Sequence, residues 1–209
     1  MVQKEPDAAP KPLGRPRGRP RSFDPDVVLE KAQAVFWNLG YAAASLDDIA
    51  AATGLNRPSL YAAFGDKHAL YMAALISTRA RAVASMRAVM GREVPLREAL
   101  GDLFAGAISA YVSGDTAQRG CFIIGTAVTQ AVDDPEARAL LTAFVADEDE
   151  VFRERFARSA NELAPGMTPA AAAVVATAAL HTLAIRARTG EARGELARVA
   201  AAAVSAICG

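Results

Sequence analysis

The sequence predicts an all-α protein of about nine helices, and three observations predict it. No run alternates apolar and polar positions with β-branched enrichment, so no strand is expected. Apolar residues instead recur at three- and four-residue intervals from Asp24 onward, in a chain rich in Ala, the best helix former. Start and stop signals of helices punctuate that pattern, among them Asp24-Pro25, Gly65-Asp66, Asp134-Pro135 and Thr168-Pro169.

The first helix opens with Asp24 as N-cap and Pro25 at the first helical position. Val28, Ala32, Val35, Phe36 and Leu39 form its apolar stripe, and Gly40 is placed to stop it. Ser45-Leu46-Asp47-Asp48 resembles a capping box with Asp in place of Glu. It starts a second helix to about Thr53 that buries Leu46, Ile49 and Ala50, and Gly54 makes the turn. Asn56 caps a third helix with Pro58 in its first turn and with Leu60 and Phe64 on one face. A fourth runs from Lys67 to about Met90.

Beyond Gly91 the pattern lengthens. A fifth helix at about 95–113 carries Leu100, Leu103, Phe104, Ala107, Ile108 and Tyr111 on one face, and Gly114-Asp115 ends it. A sixth covers about 121–131. The seventh, opened by Asp134-Pro135 and running to about Glu162, turns Leu141, Phe144, Val145, Val151, Phe152 and Phe156 inward. Pro165-Gly166 breaks the chain. The eighth runs from Thr168-Pro169 to Thr189-Gly190, and the ninth covers about 194–207.

Composition narrows the class. Of 209 residues 52% are hydrophobic and 22% charged, enough for a sizeable core. Fifteen Gly and eleven Pro are too few for a low-complexity chain. Two Cys, Cys121 and Cys208, exclude a disulfide-stapled secreted scaffold. The longest apolar stretch, Ala170–Ala184, is too short for a membrane span, and the N-terminus has no signal-peptide core. A soluble cytoplasmic protein without membrane partners is expected. His68 and His181 lie far apart, so no metal cluster and no cofactor are expected. Phosphate-loop, dinucleotide, zincin and Ser-His-Asp signatures are absent from the sequence, and no enzyme is expected.

Net charge is zero, but its distribution is uneven. Residues 1–90 carry twelve Lys and Arg against eight Asp and Glu, and residues 91–209 carry eleven against fifteen. Residues 1–22 alone hold six cations against two anions, with much Pro and Gly and little that is apolar. They read as a disordered basic arm. A polyanion partner at the front end follows. The chain then divides into the arm (1–22), a three-helix unit (23–66), a connecting helix (67–90) and a larger helical domain (91–209).

Three short helices within about 40 residues, the last two joined by a tight Gly turn, make a helix-turn-helix layout. The plain alternative is a small three-helix bundle with no role on DNA. The residues from Phe23 to Leu75 add detail: Ala34-Val35-Phe36, Asn38-Leu39-Gly40-Tyr41, Ser45-Leu46-Asp47-Asp48-Ile49-Ala50, Thr53-Gly54-Leu55, Ser59-Leu60-Tyr61, Phe64 and Lys67 to Leu70. This spaced set closely resembles the DNA-binding domain of the TetR (tetracycline-repressor) family of transcriptional regulators. Arg119-Gly120-Cys121-Phe122-Ile123-Ile124 resembles one broad subset of that family, although Gly125 stands where the subset often has Asn. The resemblance implies a homodimer that binds a palindromic operator, usually as a repressor, and is released by a small molecule entering the second domain.

The third helix would present Arg57, Pro58, Ser59, Ala62 and Ala63 outward. Arg57 can give two hydrogen bonds to guanine O6 and N7; its plain reading is an exposed Arg at a helix start. Ser59 could reach a base edge or a phosphate. The resemblance implies phosphate contacts for Tyr61 and Lys67, against core packing of the Tyr61 ring and a solvated Lys67. Thr53 is a further phosphate candidate. In the arm, Arg17-Gly18-Arg19-Pro20, followed by Arg21, reads like the core of an AT-hook suited to a narrow minor groove; a solvated tail is the alternative.

Phe104, Ile108, Tyr111, Phe122, Phe144 and Phe152, with Thr126 and Gln130 as polar anchors, are candidates for a largely apolar effector site. Plain core is the competing reading for each. Glu148 sits in an apolar stripe and could counter a cationic ligand, but the run Asp147-Glu148-Asp149-Glu150 more often marks a solvated face. Cys121 is a candidate redox or electrophile sensor if Arg119 lowers its pKa, against an inert buried thiol. Val174, Ala178, His181 and Ile185 on the eighth helix, with Leu196, Val199, Ala203 and Ile207 on the ninth, are the expected dimer face. A competing class is an all-helical ligand carrier or interaction protein whose basic arm binds nucleic acid nonspecifically.

Overall fold

A computed structural model of the chain describes residues 23–113 and 120–209. The basic arm, Gly114-Asp115 and Arg119 lie outside the described residues. Within them the chain is all-helical: α1 (Pro25–Ala43), α2 (Leu46–Thr53), α3 (Arg57–Phe64), α4 (Lys67–Met90), α5 (Leu96–Tyr111), α6 (Phe122–Gln130), α7 (Pro135–Arg158), α8 (Pro169–Arg188) and α9 (Arg193–Cys208), with a single 3-10 turn at Ala160–Glu162.

Local chemistry sets the helix starts. Asp24 accepts the Asp26 amide at 2.9 Å. Ser45 and Asp48 form the reciprocal capping box, at 3.1 and 2.9 Å. Asn56, Asp66, Asp134 and Thr168 each accept an amide from the first turn of the helix they precede. Each such cap is worth about 1 kcal/mol. Between α2 and α3 the chain must reverse within three residues, and Gly54 does so in the left-handed region (φ 76°, ψ 11°), where a side chain would be strained.

Two cores hold the helices. One joins Phe36, Ile49, Leu60, Leu70, Tyr71 and Leu75 of the front helices to Phe122, Ile123, Leu140 and Phe144 of α6 and α7. The other packs the far half of α4 with α5, α8, α9 and the end of α7 around Leu96, Leu100, Phe104, Phe152, Phe156, Leu183 and Leu196. The first core therefore crosses from the three-helix unit into the larger domain.

Several stripes are corrected. Leu39, expected inward, is 49% exposed, because Gly40 breaks the helical path of α1 one residue later (φ 78°, ψ 163°). On α7 Phe144, Val151, Phe152 and Phe156 are buried as expected and Ala137 and Leu140 join them, while Leu141 and Val145 are only half-buried. Glu148 belongs to that inner face and is 3% exposed, not part of a solvated one. α8 is 20 residues long, and by length and composition alone it is long and apolar enough to cross a membrane, although its apolar stretch was expected to be too short. Here it packs against α7 and α9 with Ala172, Ala176, Leu180 and Leu183 in the core.

Gly120 sits where α6 approaches α8. It adopts φ +62°, and a Cβ there would stand 2.4 Å from the Ala184 carbonyl oxygen. Gly120→Ala is expected to lower stability by roughly 2–3 kcal/mol through strain and overlap. Gly101→Ala, on open space in α5, is expected to raise it by about 0.5–1 kcal/mol. Urea unfolding of the two variants checks both signs.

Candidate nucleic-acid interface and internal cavity

The turn between α2 and α3 lifts one face of α3 clear of the body. Leu60 is buried and Phe64 half-buried against the front core, while Arg57, Pro58, Tyr61 and Ala62 are exposed and Ser59 half-buried. Tyr61 is 50% exposed, so its ring is not core.

Arg57 does not hang free in solvent. Its Nε donates to Asp47 Oδ1 at 2.6 Å, and its Nη2 bonds Asp47 Oδ2. Asp47 stands on the first turn of α2, so this fork ties α2 to α3. The hydrogen bond from Arg57 holds the Asp47 carboxyl below its ordinary pKa, and the same bond raises that of Arg57. Both side chains remain more than half exposed, where water screens the attraction. Nη1 takes no part in this fork.

Two residues expected at phosphates have partners within the protein. Lys67 Nζ donates to the Tyr41 and Ala44 carbonyl oxygens, each at 2.9 Å, and sits 4.5 Å above the Tyr41 ring. It caps the end of α1 rather than reaching outward. Thr53 Oγ1 donates to the Ile49 carbonyl at 2.7 Å and accepts the Leu55 amide at 3.3 Å, so its hydroxyl stiffens the turn. Arg17, Arg19 and Arg21 lie outside the described residues.

A half-open cavity of about 330 Å³ lies between α4, α5, α6, α7 and α8, with Trp37 of α1 in its wall. Of the residues expected there, Tyr111, Phe122 and Phe144 line it. The others do not. Phe104 and Phe152 are core, and Ile108 faces an outer groove of about 500 Å³ between α5 and α9, walled mainly by small side chains. Thr126 is occupied, donating to the Phe122 carbonyl and accepting from Tyr71 Oη. Trp37, Met86, Leu103, Cys121, Glu148 and Leu180 are also in the wall, with the charged Arg81 and Asp102 among the remaining lining residues. For Glu148 the signal lay in its place on an apolar stripe; for Trp37, in another domain of the sequence, there was none.

One end of the cavity is polar. Glu148 Oε2 lies 2.7 Å from His181 Nε2. Burial raises the Glu148 pKa, opposed by the hydrogen bond and charge of His181. Burial also pushes the Cys121 thiol up to about 11, with Glu148 adding to the shift. Cys121 is therefore a neutral thiol at ordinary pH, opposite to the lowered pKa expected for a thiolate sensor. Tyr111 is raised well above its ordinary value by burial and by the charges of Cys121 and Glu148. Among the described residues no group of three or more His, Cys, Asp or Glu could hold a metal ion.

The expected dimer face is partly corrected. Val174 and Ile185 are 61% and 57% exposed and Ala178 is exposed. Leu196 and Ile207, both fully buried, belong to the protomer's own core against α5, because α9 turns that stripe inward. Val199 and Ala203 are half-buried. His181 turns toward α7 to meet Glu148.

Lys67→Met is expected to lower stability by about 1–2 kcal/mol, because two carbonyls lose a charged donor. Chemical denaturation without DNA measures this. A lysine serving only phosphates would leave the unfolding curve unchanged.

Residues 28–74 match the family described as Bacterial regulatory proteins, tetR family. The HTH-type transcriptional repressor ComR of Escherichia coli K12 is 41% identical over 118 residues, 56% of this chain and 56% of ComR. That alignment thus spans little more than half of the relative. The HTH-type transcriptional repressor BdcR of the same organism is 27% identical over 197 residues, 94% of this chain and 95% of BdcR. Among solved structures, a cysteine mutant of the TetR family transcriptional regulator CifR, complexed with 26bp double-strand operator DNA, is 31% identical. It superposes with a TM-score of 0.75 over 91% of this chain and 100% of that one.

Proposed function

The chain belongs to the tetR family of bacterial regulatory proteins, and from that premise we propose that it is a DNA-binding transcriptional regulator acting in the cytoplasm rather than an enzyme. It works as a ligand-released repressor that binds a palindromic operator as a homodimer. The observation that carries this reading is the exposed face of α3, with Arg57 at its first position held by Asp47 and with Pro58, Ser59 and Tyr61 beside it. ComR and BdcR are repressors by name, and CifR is held on operator DNA, which supports the same reading here.

Arg57 reads a guanine through Nη1. Tyr61 and Ser59 contact phosphates, and Arg17, Arg19 and Arg21 follow the minor groove beside the site. A small molecule in the cavity acts on α1 directly, since Trp37 is both a cavity wall and part of the DNA-binding unit. The dimer forms through the exposed apolar face of α8, with Val174, Ala178 and Ile185, and through the Val199 and Ala203 side of α9. A two-fold pair of helices is the common solution for such a face.

Fluorescence anisotropy on the DNA flanking the protein's own gene, against a scrambled duplex, tests this. Wild type is expected to prefer the flanking DNA, and Arg57→Ala to lose on the order of ten- to a hundredfold of that preference. Equal affinity for both duplexes, as a ligand carrier with a basic arm would show, contradicts the proposal. Ile185→Asp is expected to convert the dimer to monomers in light scattering at micromolar concentration; a wild type already monomeric there would contradict the dimer face.

A further inference from the structure

We propose that the cavity takes an amine: a ligand whose cationic nitrogen meets Glu148 and whose apolar, preferably aromatic body lies against Trp37, Tyr111, Phe122 and Phe144. This rests on the reading of the cavity as the effector site and names the chemistry that site selects.

Glu148 is the buried charge of this cavity. It is 3% exposed, yet it forms part of the cavity wall. A carboxylate taken out of water needs compensation. His181 gives one hydrogen bond, to Oε2. Among the described residues Oε1 receives none. The neighbouring acidic groups are already engaged: Asp147 with Arg79 at 2.7 Å and Asp149 with the Thr177 hydroxyl at 2.6 Å. Among the described residues the one Lys or Arg lining the cavity, Arg81, bonds Gln33 at 2.8 Å and lies 3.6 Å from Glu30, both on α1. Asp102, also in the wall, bonds Arg92.

What remains at the inner end is an acceptor beside the Cys121 thiol and the Tyr111 phenol, both held in their neutral forms. An anionic ligand would meet repulsion there. A neutral alcohol would add no charge opposite to the carboxylate beyond that of His181. An ammonium satisfies it, and its charge is attracted to the faces of surrounding aromatic rings. At about 330 Å³ the space admits a compact molecule with one ring and a short chain.

Trp37 is the chain's only Trp and part of this wall, so its emission reports binding without a label. The probes are 4-phenylbutylamine, 4-phenylbutanol and 4-phenylbutyrate, which share a body and differ in head-group charge at neutral pH. Titrated into the full chain, the amine is expected to bind at least about tenfold tighter than the alcohol, with the carboxylate weakest. Glu148→Gln keeps the shape and an acceptor for His181, and it should reduce the amine's preference to within about twofold. Equal binding of amine and alcohol by wild type, tighter binding of the carboxylate, or no binding of any probe overturns the proposal. The wild-type comparison stands whether or not the variant folds. Operator binding, measured first and without probes, separates the two readings. If the operator is bound but the amine is not preferred, only the ligand class fails. If no operator is bound, the regulatory function fails whatever the cavity accepts.

Discussion

Everything else in this molecule depends on an aromatic seam between the front helices and the larger domain. Phe36 and Tyr41 of α1, Tyr71 of α4 and Phe122 of α6 meet with ring centroids 4.7–6.1 Å apart, and Trp37 joins them through Phe122 at 5.9 Å. Four polar contacts pin the same seam. Tyr71 Oη donates to Thr126, His68 meets Asp134 at the start of α7, Lys67 caps the end of α1, and Arg188 of α8 reaches the Trp37 carbonyl. A tightly packed interior transmits displacement rather than absorbing it. The three-helix unit is therefore not a module on a tether. Its first helix is a wall of the cavity.

That arrangement gives ligand and DNA a shared element. α1 carries Trp37 toward the cavity and packs on its other face against α2, which the Asp47–Arg57 fork ties to α3. A ligand that prefers one position of α1 changes the orientation of α3 without touching it. Coupling of this kind needs two arrangements of the seam with different affinities for the two ligands. Glu148 of α7, Tyr111 of α5 and Cys121 before α6 share the cavity wall with Trp37, so a ligand held by Glu148 can also lie against α1.

Much of the architecture was legible in the sequence because capping chemistry is local. Asp24, Ser45, Asn56, Asp66, Asp134 and Thr168 announce their helices within four residues, and each does in the structure what its type implies. The outward face of α3 was legible for the same reason, since a short helix after a fixed turn has few ways to bury Leu60. Long-range partners were not. Nothing near Lys67 foretells that its ammonium will find two carbonyls 23 and 26 residues earlier. Leu196 and Ile207 form a stripe that suits a dimer as well as a core, and only the position of α5 decides between them. For Glu148 local statistics pointed the wrong way: three acidic neighbours suggest a solvated face, while its place four residues before the buried Phe152 was the better guide.

Trp37, the only tryptophan of the chain, sits in the seam and reports on its movement. Operator DNA titrated into the full chain without any ligand should change Trp37 emission saturably, in step with the anisotropy of the DNA and with two chains per site at saturation. Scrambled duplex at the same concentration should leave the emission as it was. Full occupancy of the operator with unchanged Trp37 emission would show that DNA is bound without moving the cavity wall, and would contradict the account.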